Sequence, residues 1–349
     1  MPEQGMSSAG KMEDERRRGA GGCVLASRLA EDTNVSVLLL EKGFVNDGLI
    51  GRIPLLSMHP RMPGTAAVTH LGQLSTAVNR KLALFWGEAL GGSTRINAMV
   101  LTRCPPSNYN DWSQEFGLKD WAWEKVEPYF VKSENAIGHA KAQYRGLQAR
   151  YRPRILEGVA SDPKTSSTSS AFPSSRSRPR GGNNLMDHIA VAIMSKHPAQ
   201  DTIHSLYRPL VFIWHFILWI FFGRGLLAYS SLSCAIFART TAIDDTTLRL
   251  GQGFDHWPTI SDKTIDDYAC RTYQGSLHYA CTCRMALDPA DGVVDPKLRV
   301  FGVDRLRIGD ASVFPKISSG HTMAPTMMVA ERCADFIKET WRDKESLGF

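Results

Sequence analysis

A chain of 349 residues, 43% hydrophobic and 22% charged, can bury a sizeable core and would ordinarily form two domains. Much of the net charge of +6 lies in Arg16, Arg17 and Arg18 and in the Arg176, Arg178 and Arg180 run, without zinc-finger or helix-turn-helix spacing, so nucleic-acid binding is not expected. Seven cysteines make no even disulfide framework and none stands in a Cys-x-x-Cys pair, which points to a reducing compartment.

Residues 1–18 are polar and charged with no apolar core, so no secretory signal is read there and the cytoplasm is the default location. Residues 23–29 carry a helical apolar face, Asn34 marks a turn, and 35–40 (Val-Ser-Val-Leu-Leu-Leu) read as an apolar strand ending at Glu41. A carboxylate at the end of a second Rossmann strand can accept hydrogen bonds from a dinucleotide ribose; the alternative for Glu41 is a solvated strand end. The glycines upstream fit a G-x-G-x-x-G pattern only in part. Gly22 fills the third place and Gly19 the second, but Arg17 stands in the first, where a tight turn needs glycine. Residues 11–18 are too charged for a buried parallel strand, so the first strand of a dinucleotide fold reads as missing.

Residues 43–81 read as loop-rich, with Pro54, Pro60 and Pro63. In the run 86–103, Gly91 and Gly92 let backbone approach a planar ligand, with Ser93 and Asn97 able to bond its polar rim; a plain Gly-Gly turn before a core strand is the alternative. The aromatic run from Tyr109 through Trp112, Trp121 and Trp123 to Phe130 reads as packing. Residues 162–180 are rich in Ser, Pro and Arg and are expected to be disordered. The apolar run 210–222 is shorter than the roughly 18–20 residues of a membrane-spanning helix. It reads as a buried helix or tunnel wall, with membrane association the lesser alternative.

The segment 276–331 carries the densest chemistry. Residues 306–310 read as a short buried strand with Asp310 at its carboxyl end, where ligands sit in open α/β sheets. A Ser/Gly loop then leads to a helix entered at Pro325, whose N-terminus aims unpaired N–H groups and partial positive charge at what lies before it. His278 and His321 flank this strand, loop and helix, and imidazole suits proton transfer near neutral pH. A zinc site at His278, Cys281 and Cys283 is weighed and set aside, since no fourth ligand or partner pair is evident.

These motifs closely resemble the glucose–methanol–choline (GMC) family of flavin oxidoreductases, in its fungal form. The family's His-Pro-Val-Gly-Thr-Cys-Arg-Met-like run, Val-Asp-Pro-x-Leu-Arg-Val-x-Gly-Val, Leu-Arg-x-x-Asp-Ala-Ser and Ala-Pro-Thr correspond to 278–285, 294–303, 306–312 and 324–326. Its signature Leu-Gly-Gly-Ser-Ser-x-Ile-Asn-x-Met corresponds to 90–99, and Asn-Leu-x-Asp-His to 184–188. Tyr279 stands where the family has proline and Cys281 where it has glycine. No counterpart of its Ser-Pro-x-Leu-Leu run is found, and much of the substrate-domain sheet is absent after Asp245.

The resemblance implies an α/β chain with an incomplete, Rossmann-like FAD-binding domain and a reduced α+β substrate domain. The expected division is a tail (1–16), the first part of the FAD domain (17–138), a low-complexity linker (139–182), a substrate-domain remnant (183–260) and a catalytic C-terminal part (261–341). It implies FAD contacts at Gly19, Gly22, Glu41, Gly91, Gly92, Ser93, Asn97, Ala98, Met99, Val100, Asp310, Ala311, Thr322 and Ala324. It implies His278 as the base for an alcohol O–H, paired with His321, and an oxygen or quinone electron acceptor. His188 has two readings, a flavin contact or a loop hydrogen bond to backbone. The alternative for the whole chain is a non-catalytic or misfolded fragment of such an enzyme.

Overall fold

The computed structural model describes residues 19–41, 52–56, 67–74, 80–87, 89–135, 182–190, 203–228, 263, 267–268, 270–271 and 273–346. The expected tail, the arginine clusters, Arg17, most of the 139–182 linker and the stretch after Asp245 lie largely outside the described residues. Five helices are described: α1 (Ala20–Leu29), α2 (Pro106–Glu115), α3 (Trp123–Lys132), α4 (Pro209–Phe222) and α5 (Met323–Ser346). Two small antiparallel sheets accompany them: β1 (Ala67–Leu74) with β2 (Arg80–Gly87), and β3 (Ile189–Ala190) with β4 (Gln274–Gly275).

The core forms where α1 meets α5. Val24, Leu25 and Leu29 bury one face of α1 against Met328, Val329, Cys333 and Ile337 of α5. That spacing is the apolar stripe of an amphipathic helix. Gly21 permits the close approach: a Cβ there would lie 2.4 Å from the Gly309 carbonyl oxygen. Across this seam runs a buried ion pair. Arg28 Nε and Nη2 donate to the two Glu331 oxygens at 2.7 and 2.8 Å, and Glu331 is fully buried. Lys132 of α3 stands 3.6 Å from the same carboxylate, so three helices share one negative charge. The Glu331 bonds are the main influence holding the Arg28 guanidinium above its ordinary pKa.

The aromatic run packs as expected. Tyr109, Trp112, Trp121 and Phe130 are buried, with edge-on contacts of 5.2 Å between Tyr109 and Trp112 and 5.5 Å between Tyr109 and Phe130. Their polar atoms are satisfied by backbone, as burial requires: Tyr109 Oη donates to the Arg103 carbonyl, and the Trp112 and Trp121 indoles donate to the Lys316 and Pro296 carbonyls. Arg332 of α5 lays its guanidinium over Trp121, 4.5 Å from the ring centre, a cation–π contact that joins α5 to this cluster.

Four expectations are corrected here. Residues 35–41 are extended with a single bridge at Leu39, and Leu38 and Leu40 are 47% and 41% exposed; no described strand covers them, so the segment is not a buried strand. Part of the region read as loop is the β1–β2 ladder, in register from Ala67 opposite Gly87 to Leu74 opposite Arg80. The 306–310 segment pairs only locally, through an Arg299–Arg307 bridge. Finally, α4 forms, starting at Pro209 and stopped by Gly223 at φ +60°, but none of its residues is buried. Leu210 is 81% and Phe221 74% exposed, so it is not a core helix among the described residues. No helix of the described residues is long and apolar enough to cross a membrane.

Removing Glu331 alone leaves Arg28, still bonded to the exposed Glu31 and the Lys132 carbonyl, without its buried counter-charge, whereas replacing both members removes the desolvation problem. Glu331→Leu is expected to lower unfolding stability by about 3 kcal/mol, and Arg28→Leu/Glu331→Leu to cost less than Glu331→Leu alone. Denaturant midpoints check this; a double variant at least as unstable as the single would refute it.

Candidate active site

The histidines are placed by an irregular antiparallel ladder. The Met186 and Ala280 backbones exchange both hydrogen bonds, the Ser276 N–H donates to the His188 carbonyl, and Ile189 pairs with Gly275. Between those anchors residues 276–279 face only residues 187–188, a bulge of two residues with Leu277 at φ +62°. The Asp187 carboxylate satisfies the displaced backbone: it accepts from Leu277 N–H at 3.2 Å and His278 N–H at 2.7 Å. Gly275 makes room for it, since a Cβ there would lie 2.4 Å from Asp187 Oδ2. Burial raises the Asp187 pKa.

The bulge turns His278 toward two further imidazoles. His278 Nε2 lies 3.0 Å from His321 Nδ1, and His278 Nδ1 lies 2.8 Å from His188 Nδ1. His188 Nε2 in turn lies 2.7 Å from the Ser318 carbonyl oxygen. The backbone reading of His188 therefore holds, and with it comes a contact to His278 that the sequence reading did not include. The recoverable signal was the Asp-His pair itself: a carboxylate that can cap a bulge, beside an imidazole. Burial lowers the His278 pKa to about 4, aided by repulsion from His321 and His188. Burial, then His188, lowers His321 as well.

His321 is held by residues from the first half of the chain. Trp112 anchors the Lys316 carbonyl, and Asn108 Oδ1 accepts from Ser319 N–H and Oγ–H, both at 2.8 Å. Asn97 Nδ2 reaches Met323 Sδ at 3.1 Å, while its Oδ1 accepts from Met99 N–H, with Met99 at φ +56°. α5 begins at Met323, two residues before Pro325, because the Thr322 carbonyl already accepts from Thr326 N–H. Thr322 and Ala324 thus lie at its N-terminus beside the Asn97 turn.

The other expected positions fall into two groups. Gly91 (φ +100°) and Gly92 (φ +54°) form a tight turn leading into a short 3₁₀ segment, Gly92–Arg95, and Ser93 Oγ accepts from Gly87 N–H. Ala98 is buried, Val100 is half-buried, and Asp310 caps the turn Ala311–Val313 by accepting from Ser312 N–H. Gly19 caps α1 without a side-chain bond, and Gly22 is buried in its first turn, close to Asp310 through Gly21. Glu41 ends the partly exposed 35–41 segment. Among the described residues no cluster of three could hold a metal. Burial pushes the Cys281 thiol up to about 12, so it stays protonated.

A glycine-rich helix start, an adjoining Gly-Gly turn and paired imidazoles at a second helix start are thus brought together in an α/β chain. Two domain models, both described as GMC oxidoreductase, match residues 64–160 and 226–330, and the chain belongs to that family. The solved structures it resembles include formate oxidase from Aspergillus oryzae (17% identity, TM-score 0.67, 97% of this chain and 100% of that one). A fungal aryl-alcohol oxidase is similar (14% identity, TM-score 0.67, 93% and 98%). Among curated proteins, dehydrogenase str4 of Strobilurus tenacellus is 37% identical over 35% of this chain and 20% of its own length. Human mitochondrial choline dehydrogenase is 48% identical over 22% and 13%. The chain therefore matches a fifth or less of the length of these two relatives. Oxygen-dependent choline dehydrogenase of Brucella anthropi aligns at 21% identity over 522 positions, 91% of this chain and 94% of that one. That alignment is longer than the present chain, so it skips stretches of the relative.

GMC oxidoreductases oxidise alcohols with FAD, and FAD is the cofactor of this fold. The residues present suit it at two places. The α1 start offers backbone N–H groups with no side-chain cap, which suits a pyrophosphate. The Gly91–Gly92 turn and the Asn97–Met323 contact bring the two signature motifs together at the start of α5.

Two measurements follow from this geometry. Cys281 is buried at φ +72°, a conformation that disfavours any Cβ by about 1–2 kcal/mol. Cys281→Gly is therefore expected to be about 1 kcal/mol more stable than Cys281→Ala, the reverse of the usual order; melting temperatures in that usual order would refute it. The second concerns pH. In the unfolded chain His278 has its ordinary value of 6.5, against about 4 when folded. As pH falls through 6.5 the unfolded state gains a proton that the folded state does not, so stability declines and levels off below 4. His278→Phe should flatten the decline of denaturant midpoint over that window, and an unchanged slope would contradict the assignment.

Proposed function

We propose that this chain is an FAD-dependent oxidoreductase that oxidises the CH–OH group of a small alcohol, using its paired histidines as base. The observation that carries the reading is the 3.0 Å contact between His278 Nε2 and His321 Nδ1, at the start of α5 and beside the Asn97 turn. Both ring nitrogens of His278 are engaged, one by His188 and one by His321. This supports moving the proton-accepting atom from His278 to His321 Nε2, with His278 orienting the ring behind it. Burial lowers both pKa values, which favours neutral imidazole, the form able to accept the hydroxyl proton. When bound, FAD supplies the acceptor for the hydride that leaves the carbinol carbon. Loss of that proton to His321 and of the hydride leaves the carbonyl product. Oxygen or a quinone as the electron acceptor belongs to the same proposal.

Cofactor contacts at Gly19, Gly22, Gly91, Gly92, Ser93, Asn97, Ala98, Met99, Val100, Asp310, Ala311, Thr322 and Ala324 fit this reading by position. Glu41 as the ribose acceptor rests on its place in the sequence. A second reading, a non-catalytic product of the same fold, is favoured by one observation: Leu38 and Leu40 stand exposed where a Rossmann sheet would cover them.

The purified protein should be yellow and should bleach when a primary alcohol is added without oxygen. His321→Ala is expected to slow that bleaching by about two to four orders of magnitude at equal flavin content. The acid limb of kcat/KM should fall below pH 6.5, since both histidines are shifted downward from that value. Colourless protein supports the second reading, and unchanged bleaching in His321→Ala removes the histidine from its role.

A further inference from the structure

We propose that His188 is a positioning residue: tied to the Ser318 carbonyl, it fixes through His278 which nitrogen of His321 is left basic. The inference rests on the reading of His278 and His321 as the proton-accepting pair.

The argument is one of donors and acceptors. A backbone carbonyl only accepts, so His188 Nε2, 2.7 Å from the Ser318 oxygen, carries the proton. A neutral imidazole has a single N–H, so His188 Nδ1 is a lone pair. His278 Nδ1, 2.8 Å away, must then be the donor, which makes His278 Nε2 a lone pair. His321 Nδ1, 3.0 Å from that nitrogen, must donate in turn. The remaining nitrogen, His321 Nε2, ends the chain as a lone pair. The rings meet at 84° and 79°, so each in-plane N–H can point at a nitrogen instead of stacking on a ring face.

One carbonyl thus sets three tautomers. It holds two of the imidazoles in the Nδ1–H form, against the Nε2–H form that a free histidine side chain prefers. Without this chain His278 would donate from Nε2 to His321 Nδ1, and His321 would present an N–H where a base is needed. The opposite polarity with His188 still bonded to Ser318 requires one more proton, on His188.

The test uses the full FAD-loaded chain labelled with ¹⁵N-histidine, its ring resonances assigned by single substitutions. His278 and His321 are expected as Nδ1–H and His188 as Nε2–H at neutral pH. His188→Gln should preserve the first two, because a carboxamide can accept through oxygen from His278 and donate through nitrogen to Ser318. His188→Phe should convert both to Nε2–H and slow flavin reduction by about two orders of magnitude. An Nε2–H form of His278 or His321 in the unsubstituted protein overturns the inference whether or not the Phe variant folds. Tautomers unchanged in a folded His188→Phe protein also overturn it. Should the tautomers follow this pattern while His321→Ala leaves flavin reduction unchanged, the histidine lock stands and the catalytic reading of the pair falls.

Discussion

The Arg28–Glu331 pair joins parts of the chain 303 positions apart, and the geometry of the site depends on it. A fully buried carboxylate is tolerated only with partners, and here they come from α1 and α3. That requirement fixes the rotation of α5 about its axis. With the rotation fixed, the apolar face of α5 meets Val24, Leu25 and Leu29, and Arg332 is carried over Trp121. The N-terminus of α5 is aimed by the same constraint, and the loop bearing His321 enters the helix there. Glycine at position 21 is the steric counterpart, because the α1 backbone must nearly touch Gly309 for the pair to close.

The histidine chain is assembled from loops held by side chains more than from regular structure. Trp112, Asn108 and Asn97 each use a hydrogen bond to hold a different point between Lys316 and Met323. On the other side Asp187 closes the bulge that carries His278. A loop fixed at several points loses little further entropy when a substrate must be oriented, which is the advantage of preorganised groups. The buried aromatic cluster of α2 and α3 supplies the rigid wall to which these loops are bonded.

What could be read from the sequence was local chemistry. Pro325 marked the last helix to within two residues, and the Ser/Gly loop before it was identifiable because it lacks apolar periodicity. The aromatic run was recognisable as packing through its place in the family resemblance. The site residues near the C-terminus were legible only as a set of motifs in order, since one histidine or one glycine pair specifies little. What escaped was non-local. The 35–40 run has the composition of a buried strand, but burial is set by neighbours distant in sequence, and Leu38 and Leu40 remain exposed. The same holds for α4, apolar all round yet exposed. The β1–β2 ladder is masked in the sequence by the nearby Pro54, Pro60 and Pro63, which favour loop. His188 could not be linked to His278 from sequence, because the contact depends on a two-residue mismatch between strands 90 positions apart.

That mismatch makes the site sensitive to chain length. Inserting or deleting one residue between Gly275 and Ala280 would change the bulge or shift the register of a flanking pair, and either would re-aim the imidazole at 278. Surface connections usually accept such length changes readily. Here the register is counted out by Ile189–Gly275 on one flank and Met186–Ala280 on the other, so the segment has the tolerance of a core strand despite its loop-like appearance. Variation in this stretch is thus restricted to substitutions that keep its residue count, and at Gly275 to those that leave space for a carboxylate.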